Sequence, residues 1–574
     1  MALPPPNPGP NPSLPGPCSV QNAIVALNPA YLNVELSWGS TYPLMVQYWY
    51  PSSIPPGYLT AGGIVPVLIL HGLIEQSYSI NSYQGLNYMG QLLASNGFFV
   101  VSVQQPLNPG NHGFTSDRLN RIQGVLNWIV QLNTNQGLDP TFLQLGAYLK
   151  GQLLCNSMAG IGHSAGGATL TLGMLQKPQF QNQPYQFGAI SCLSPDIFPS
   201  NEFQTPQVLE ALAPPPGIPY QIVHGSADCL FFGAYGGWVS YEDLLASSTS
   251  VMRSWVMIDE ANHNFFNTLW QVDECSYSLF YCVNPLLPAS DMTARIAGQA
   301  AAAATYVHAF LQATVNNNFW GYVPFLNGTQ ANPLPQQAAY QNSPSVNVRV
   351  DYRAPGNAIV ALVDNFETPW DPSVSPEMPN NIGGLVLAGG SAQLSRVTLQ
   401  SNQNVLVPVS TTCLLAARIT WSTPDDVVTE TFGQSVVSFS QRSVVPPYLS
   451  FRVGAIEGST VNPPGQNLDF NVVLVDSNEN ASNPLPVSAY QAIGPSWQGI
   501  TYPGTAKIEP TPAPDIVMRH SFMEAVLIPI NDFTGTDFNN TSIKMIRFQF
   551  NVPSCPAGDI AIDEIHFARG PLAT

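Results

Sequence analysis

The sequence predicts a mostly parallel α/β sheet with helices on both faces, followed by an all-β sandwich of jelly-roll type. From 21 to 325, short apolar runs alternate with segments of helical periodicity, which is the rhythm of buried parallel strands joined by helices. From 346 to 574, short apolar segments follow one another between turn residues, with few helical patterns. With 574 residues, the chain is also too long to fold around one ordinary hydrophobic core, so two or more domains are expected.

Composition sets the predicted boundaries around these two parts. Residues 1–20 are predicted to form a proline-rich N-terminal tail. Residues 326–345 are rich in Asn, Gln, Pro and Ala, which predicts a linker. The catalytic part is therefore 21–325 and the accessory part 346–574. The tail lacks the apolar core of a signal peptide. We interpret it as a spacer left after processing, which predicts a secreted, extracellular protein.

The charge balance argues against polyanionic partners. Charged residues make up 9% of the chain, and the 35 acids outnumber the 17 bases to give a net charge of −18. Nucleic acids and anionic lipid surfaces are therefore not expected to bind. No run approaches the roughly 18–20 apolar residues of a membrane span. The Ala-rich segment 298–311 predicts a helix with one buried face. The sequence does not determine the oligomeric state.

The elements of the first part follow in order along the chain. Apolar or alternating runs bounded by Pro and Gly predict strands at 24–27, 32–37, 44–50, 65–70, 98–103, 187–193, 220–223 and 254–258. Helical periodicity predicts helices at 86–95 and 118–132. Another apolar run enters the motif Gly162-His163-Ser164-Ala165-Gly166, and a small-residue, helix-compatible segment leaves it.

That motif has the G-x-S-x-G pattern of a nucleophile elbow, in which a serine occupies a sharp strand-to-helix turn. The flanking glycines, Gly162 and Gly166, remove side chains that would collide in so tight a turn. The helix that follows directs backbone N–H groups toward the place where an oxyanion would develop. The pattern predicts that Ser164 is a nucleophile, whereas a chance Gly/Ser turn is the alternative.

A serine nucleophile needs a histidine base and an acid that orients the histidine, each following a strand in the order Ser, acid, His. Asp228 follows the strand 220–223, and His263 follows the strand 254–258. We therefore predict a Ser164–Asp228–His263 triad. Asp259 and Glu260 are rival acids, but they are too near His263 in sequence for separate-strand geometry.

Two backbone N–H groups are expected to form the oxyanion hole. One belongs to Ala165, directly after the serine, and the other to Leu73, in the glycine loop after strand 65–70. Catalysis then needs no metal or other cofactor, and the first part shows no metal-ligand spacing.

An aromatic, glycine-rich segment after Asp228 predicts a substrate pocket. Phe231, Phe232 and Trp238 belong to it, and His163 and Phe265 beside the predicted triad join them. Ordinary core packing is the alternative for each ring.

The eight cysteines are compatible with an oxidising compartment. Cys275 with Cys282, and Cys413 with Cys555, suggest disulfides by their positions. Cys155 and Cys192 are expected to be buried apolar side chains without a disulfide.

The first part resembles the α/β-hydrolases over about 25–325, through Leu70-His71-Gly72, 92–101, the elbow and Asn262–Phe266. The nearest group is that of bacterial chlorophyllase, dienelactone hydrolase and cutinase-like polyester hydrolases. The resemblance implies ester hydrolysis through an acyl-enzyme, by the triad and oxyanion hole named above. Cutinase-type enzymes carry an aromatic residue where this chain has Leu73, Met where it has Ala165, and Trp near 194–196. Polymer hydrolysis is therefore open.

The second part resembles the galactose-binding-like jelly rolls of carbohydrate-binding modules, through 363–367, 470–476 and 558–567. The resemblance implies a structural Ca²⁺ held by carboxylates near the two ends of the domain, with Glu367 and Asp563 as its ligands. Solvated acids at strand edges are the alternative. Trp370, Trp421 and Trp497 are candidates for a sugar-stacking face, or else core residues.

We therefore predict a serine esterase whose substrate is a carboxylic ester, including polyester or other surface-bound polymers. A carbohydrate esterase for acetyl or feruloyl groups, targeted by a sugar-binding domain, is the alternative. A non-catalytic adhesion protein on a hydrolase scaffold is a second alternative, against which the ordered Ser, Asp and His argue.

Overall fold

A computed structural model gives the fold of the chain. It describes residues 11–32, 34, 43–59, 61–72, 81–105, 116–174, 180, 182–195, 217–226, 228, 251–258, 261–272, 292–326, 348–366, 370, 375, 377–398, 415–433, 436–439, 447–456, 458–495, 497–502, 516–520 and 523–568.

The first sheet has nine strands within the described residues. They are β1 (Ser19–Leu27), β2 (Leu44–Ser53), β3 (Pro66–Leu70), β4 (Phe99–Val103), β5 (Met158–His163), β6 (Phe187–Leu193), β7 (Tyr220–Gly225), β8 (Arg253–Ile258) and β9 (Val348–Arg353). Their order across the sheet is β1-β2-β4-β3-β5-β6-β7-β8-β9. Strands β3 to β8 run parallel, whereas β1, β2 and β9 pair antiparallel at the two edges.

Helices cover both faces of this sheet, as the continuous apolar strands predict. The helices are α1 (Asn87–Ser95), α2 (Ser116–Thr134), α3 (Leu143–Leu149), α4 (Ala165–Ala168), α5 (Met292–Thr314) and α6 (Phe319–Leu326). Helices α2 and α3 contribute to one apolar core and α1, α5 and α6 to another. None of the described helices is long and apolar enough to cross a membrane.

Part of the predicted N-terminal spacer packs against helices of the first part. The N–H groups of Gly16 and Cys18 donate to the side chain and carbonyl of Ser95 in α1. His308 of α5 donates from Nδ1 to the Pro12 carbonyl at 2.8 Å. Strand β1 begins at Ser19, inside the range predicted as tail.

The predicted accessory part begins with a strand of the first sheet. The sequence predicts that the β-sandwich begins at 346, but β9 pairs antiparallel with β8 along its whole length, from Val348 opposite Ile258 to Arg353 opposite Arg253. An edge strand completes the sheet because β8 otherwise exposes its unpaired backbone groups. The division of the chain into two domains stays a prediction.

Beyond β9 the chain forms mostly antiparallel sheets. The strands are β10 (Ile359–Asp364), β11 (Met378–Pro379), β12 (Leu385–Gly389), β13 (Gln393–Thr398), β14 (Leu415–Trp421), β15 (Val427–Thr431), β16 (Val437–Ser438), β17 (Tyr448–Ala455), β18 (Asn471–Asp476), β19 (Leu485–Pro486), β20 (Trp497–Tyr502), β21 (Ile516–His520), β22 (Glu524–Pro529), β23 (Ser542–Gln549) and β24 (Gly558–Ala568). One sheet runs β13-β14-β24-β17-β22 with β10 on β24, and a second runs β11-β12-β15-β23-β18-β19 with β16 on β23. Side chains from both form one apolar core.

Buried ion pairs join β9 to the neighbouring antiparallel sheet. Arg452 in β17 donates from Nε to Asp351 Oδ2 at 2.7 Å and from a terminal nitrogen to Asp563 Oδ2 at 3.0 Å. All three side chains are at most 2% exposed. Arg353 pairs with Glu564 at 3.2 Å beside them. The two halves of the chain are thus connected through charges that water does not reach.

Replacing Arg452 with leucine is expected to destabilise the protein strongly. The variant leaves Asp351 and Asp563 buried without their cation, so the free energy of unfolding should fall by about 3–5 kcal/mol. Urea unfolding followed by fluorescence measures this change. Lys544→Met is the matched control, because it removes the Lys544–Glu479 pair, whose carboxylate is exposed, and should change stability much less. Equal urea midpoints for the Arg452 and Lys544 variants would contradict the assignment of Arg452 to a stabilising buried ion pair.

Candidate active site

The backbone at Ser164 adopts a strained conformation at the end of β5. Its φ is 54° and its ψ is −128°, a region that residues with side chains rarely occupy. Hydrogen bonds hold it on both sides. Its N–H donates to the Leu193 carbonyl at 3.0 Å, and its carbonyl accepts from the N–H groups of Gly167 and Ala168. The geometry turns the chain sharply from strand into helix at this serine.

The glycines around Ser164 are required by close backbone contacts. A Cβ on Gly162 would lie 2.5 Å from the Cα of Gly167, and a Cβ on Gly166 would lie 2.2 Å from the Leu70 carbonyl oxygen. Real Cβ atoms do not approach backbone atoms so closely. Because α4 begins at Ala165, the Ala165 N–H has no acceptor within its own helix. The role of this amide as an oxyanion donor stays a prediction.

Asp228 and His263 meet at the carboxyl ends of adjacent strands β7 and β8. His263 Nδ1 donates to Asp228 Oδ2 at 2.9 Å. The aspartate is 0% and the histidine 1% exposed. Burial alone would raise the pKa of Asp228, but His263 and His224 outweigh it and hold the pKa well below its ordinary value. The carboxylate is therefore charged, and it fixes the proton of neutral His263 on Nδ1, which leaves Nε2 as an acceptor.

The loop that carries His263 is fastened to helix α5. The Asn262 N–H donates to Gln299 Oε1 at 3.1 Å, and Gln299 Nε2 donates back to the Asn262 carbonyl at 2.6 Å. The Asn262 side chain accepts from the Phe265 N–H at 2.9 Å. These bonds fix the backbone on both sides of the histidine. Gln299 lies in the Ala-rich segment 298–311 and is not among the predicted site residues.

His163, predicted as a pocket residue, supports His263 from behind. Its Nε2–H donates to the His263 carbonyl at 3.0 Å, and the two ring centroids are 5.0 Å apart. Burial first, and then His263, hold its pKa well below the ordinary value, so that the ring is neutral. Both His163 and Phe265 are buried, at 0% and 1% exposure. Phe231, Phe232 and Trp238 lie outside the described residues.

A glycine loop after β3 lies directly against Ser164. His71 accepts from the Gln105 N–H at Nε2, 2.9 Å away, so its proton is on Nδ1 and is donated to the Gly72 carbonyl at 2.7 Å. Arg118 donates to the His71 carbonyl at 2.8 Å. Burial and Arg118 lower the pKa of His71 to about 3, which keeps this ring neutral. Leu73, the predicted second oxyanion donor, lies outside the described residues.

Replacing Gly72 with alanine is expected to damage the site without unfolding the sheet. A Cβ there would lie 2.7 Å from Ser164 Cβ and 3.1 Å from Ser164 Oγ. Displacing a nucleophile by a fraction of an ångström to one ångström costs on the order of 100-fold in rate, and we expect that loss in kcat/KM for a soluble ester. Gly124→Ala is the matched control, because its Cβ would meet only flexible side-chain ends at 3.1 and 3.2 Å. Equal rates for both variants would contradict the geometry.

Trp270 is a component of the site that the sequence analysis missed. It donates from Nε1 to Ser82 Oγ at 2.8 Å, and its ring centroid is 5.0 Å from that of His163. Its ring edge also borders Gly72, where it would lie 3.0 Å from an added Cβ. The available signal was an aromatic residue a few positions after the predicted base.

The structure describes one of the two carboxylates implied as calcium ligands in the accessory part. Asp563 accepts from Arg452 at Oδ2 and from the following backbone N–H at Oδ1. Both its oxygens are thus engaged, and Glu367 lies outside the described residues. Over the described part of the chain, no group of three or more His, Cys, Asp or Glu side chains is arranged to hold a metal ion.

Asp364 and Glu430 are two neighbouring acidic side chains in the accessory part. Both are buried, and each carries one carboxylate oxygen, Oδ2 and Oε1 respectively, without a hydrogen-bond partner within the described residues. Burial raises the pKa of Asp364 to about 7. Burial and the proximity of Asp364 raise the pKa of Glu430 well above its ordinary value. Buried carboxylate oxygens of this kind are the ligands that Ca²⁺ prefers.

Two further predictions concern aromatic and cysteine side chains. Trp421 is buried and stacks on Phe550 with centroids 4.5 Å apart, so it is a core residue and not part of an exposed sugar-binding face. Cys555, predicted to pair with Cys413, is a free, buried thiol whose Sγ donates to the Ala557 carbonyl.

Of the other cysteines and tryptophans named in the predictions, some lie within the described residues and some lie outside them. Cys155 and Cys192 are buried free thiols, and Cys413, Cys275 and Cys282 lie outside the described residues. Trp370 is half-buried, with the Arg396 guanidinium 5.9 Å from its ring centroid.

Comparison with known proteins gives structural similarity only. No family profile and no curated protein matches the sequence. Esterase B from Lactobacillus rhamnosis is 14% identical, with 45% of this chain and 82% of that chain covered and a TM-score of 0.29. Esterase Est22 is 16% identical, with 44% and 74% covered and a TM-score of 0.29. A Klebsiella pneumoniae protein described as a dienelactone hydrolase is 12% identical, with 44% and 90% covered and a TM-score of 0.27. Each of these similarities covers less than half of this chain.

Proposed function

We propose that this protein is a serine esterase that hydrolyses carboxylic esters through an acyl-enzyme. The observation that carries the proposal is the 2.9 Å hydrogen bond between His263 Nδ1 and Asp228. His163, the residue before the serine held at a positive φ of 54°, donates to the His263 carbonyl and so joins the serine turn to this pair. A buried carboxylate that orients a neutral imidazole, next to a strained serine, is the arrangement that activates a hydroxyl for acyl transfer.

In the first half-reaction, His263 Nε2 takes the proton of Ser164 as Oγ attacks the ester carbonyl. The Ala165 N–H and the predicted Leu73 N–H stabilise the oxyanion of the tetrahedral intermediate. The intermediate collapses as His263 returns the proton to the leaving alkoxide, which departs as the alcohol. In the second half-reaction, His263 takes a proton from water, the water oxygen attacks the acyl carbon, and Ser164 leaves with the proton as the acid is released.

Hydrolysis of a short series of p-nitrophenyl esters tests the activity. We expect saturable release of p-nitrophenol, with an initial burst if deacylation is the slower step. Absence of hydrolysis above the buffer rate for every ester, with protein shown to be folded by circular dichroism, would contradict the proposal.

For the substrate, we favour esters presented on an apolar surface or polymer. Leu269 and Val272 are each 40% exposed, and both belong to the segment that follows His263. Exposed apolar side chains beside an active site favour an apolar partner. Rates on a polyester film, acetylated xylan and a soluble ester distinguish the candidates. Activity on xylan without activity on the film would instead favour a carbohydrate esterase.

We also propose a structural Ca²⁺ in the accessory part, bound through Asp364 and Glu430. The ion would neutralise two buried carboxylates and so stabilise the fold without taking part in catalysis. Thermal unfolding with added Ca²⁺, and after chelation, tests this in wild type and in Asp364→Asn. We expect Ca²⁺ to raise Tm of the wild type only. Identical Tm values with Ca²⁺ and with chelator in the wild type would contradict it.

A further inference from the structure

A second histidine contacts the acid of the proposed triad. His224 is the penultimate residue of β7 and is 0% exposed. Its Nε2 lies 3.3 Å from Asp228 Oδ2, the same oxygen that accepts from His263 Nδ1 at 2.9 Å. The His224 contact is longer and less well aligned than that of His263. The sequence analysis did not assign His224 to the site.

The position of His224 determines where its proton lies. A neutral imidazole has one N–H and one lone pair. If the lone pair were on Nε2, it would face a carboxylate oxygen and be repelled. The proton is therefore favoured on Nε2, where the N–H dipole points at Asp228. Neither ring nitrogen of His224 meets hydrogen-bond geometry within the described part of the chain, so the 3.3 Å contact of Nε2 with Asp228 Oδ2 is electrostatic. No described acceptor at Nδ1 competes for the proton.

We propose that His224 is a positioning residue that acts on the reaction through Asp228. The inference rests on the esterase function proposed above. A carboxylate oxygen accepts more than one donor. The second N–H fixes the rotation of the carboxylate and offsets part of its negative charge. His263 is then held in its productive orientation but is less basic than it would be beside an unshared carboxylate.

The other titratable groups around the pair do not compete for this role. His163 contacts His263 from the end of β5, and His71 lies in the loop after β3. Both are fully buried, and burial lowers the pKa of each, to about 3 for His71 and well below the ordinary value for His163. They stay neutral over the pH range in which an esterase works. Asp228 contacts both His224 and His263, so these three groups form the titrating set within that range.

Two variants of His224 separate a positioning role from a packing role. His224→Gln keeps an N–H donor at a similar reach, whereas His224→Leu keeps bulk and removes the donor. The readouts are kcat, KM and the pH profile of kcat/KM for a soluble ester. For His224→Leu we expect the acid limb to move up by about half to one pH unit. We also expect kcat to fall roughly 10-fold and KM to stay unchanged. A loss of this size is a small part of the total rate enhancement that general acid–base catalysis supplies. His224→Gln should stay close to the wild type.

A second measurement keeps the inference testable without activity. NMR of histidine labelled with ¹³C and ¹⁵N reports the tautomer of His224 and the titration of His263 in the folded protein. The proposal expects the Nε2–H tautomer in the wild type, and a higher His263 pKa in His224→Leu. The Nδ1–H tautomer, an unchanged His263 titration, or equal losses in both variants would overturn it. If no ester is hydrolysed, the esterase proposal fails, and the NMR result still decides whether His224 and His263 are coupled through Asp228.

Discussion

Replacing Ser164 with alanine is expected to lower kcat for a soluble ester by about 10⁵- to 10⁶-fold, close to the loss of the whole triad. The variant lacks the oxygen that forms the acyl-enzyme, so only binding and the oxyanion donors remain. The substitution removes one atom from a side chain that is 8% exposed, and folding should not suffer. The rate is measured from the release of p-nitrophenol, in a stopped or a continuous assay.

Ser102→Ala is the matched control for this experiment. Ser102 is a buried serine in β4, and its Oγ donates to the Tyr83 carbonyl at 2.6 Å. The control removes the same atom from the same sheet, and activity should persist at close to the wild-type level. A Ser164→Ala enzyme that retains a tenth or more of wild-type kcat would show that another residue is the nucleophile.

Replacing Asp228 with asparagine is expected to lower kcat by about 10⁴-fold. The asparagine side chain has a nearly identical shape, but its amide N–H can face His263 Nδ1 and shift the proton to Nε2. The base then presents a donor where it needs an acceptor. The lost charge also no longer stabilises the imidazolium that forms when His263 takes the serine proton. We expect a small change in KM, because Asp228 is buried behind the histidine.

Asp139→Asn provides the comparison for the aspartate variant. Asp139 caps the turn at Pro140–Phe142 by accepting from the Thr141 N–H at 3.0 Å, and asparagine caps such turns equally well. Its activity and stability should match the wild type. An Asp228→Asn enzyme with the same kcat as the Asp139 variant would exclude Asp228 as the orienting acid, and Asp259 or Glu260 would then need testing.

Local patterns predicted the first sheet because each parallel strand is apolar on both faces. The strand 187–193 was predicted with the observed bounds, and those at 65–70, 98–103 and 254–258 differ by one residue at the N-terminal end. Since parallel strands end at one edge of a sheet, the order of Asp228 and His263 along the chain also predicted their proximity. Local sequence patterns are therefore sufficient to predict the bounds of these strands and the proximity of Asp228 and His263.

Long-range charge pairing could not be predicted in the same way. Asp351 and Arg452 are 101 residues apart in sequence, and Arg452 and Asp563 are 111 apart. A single charged residue in a strand normally indicates a solvent-facing position. Their burial, and the assignment of β9 to the first sheet, depend on which elements meet in space. The same limit hid Gln299 and Trp270, whose roles come from contacts with residues distant in sequence. His224 is only four residues from Asp228, and its contact depends on the shape of the turn between them.

Covalent labelling with a fluorophosphonate, followed by peptide mass spectrometry, tests the nucleophile most directly. The reagent traps an activated serine regardless of which ester is the natural substrate. We predict one adduct per chain, on the peptide containing Ser164, in the wild type and in Ser102→Ala, and none in Ser164→Ala. A folded wild-type protein that carries no adduct, or an adduct on another serine that persists in Ser164→Ala, would contradict the assignment of Ser164 as the nucleophile.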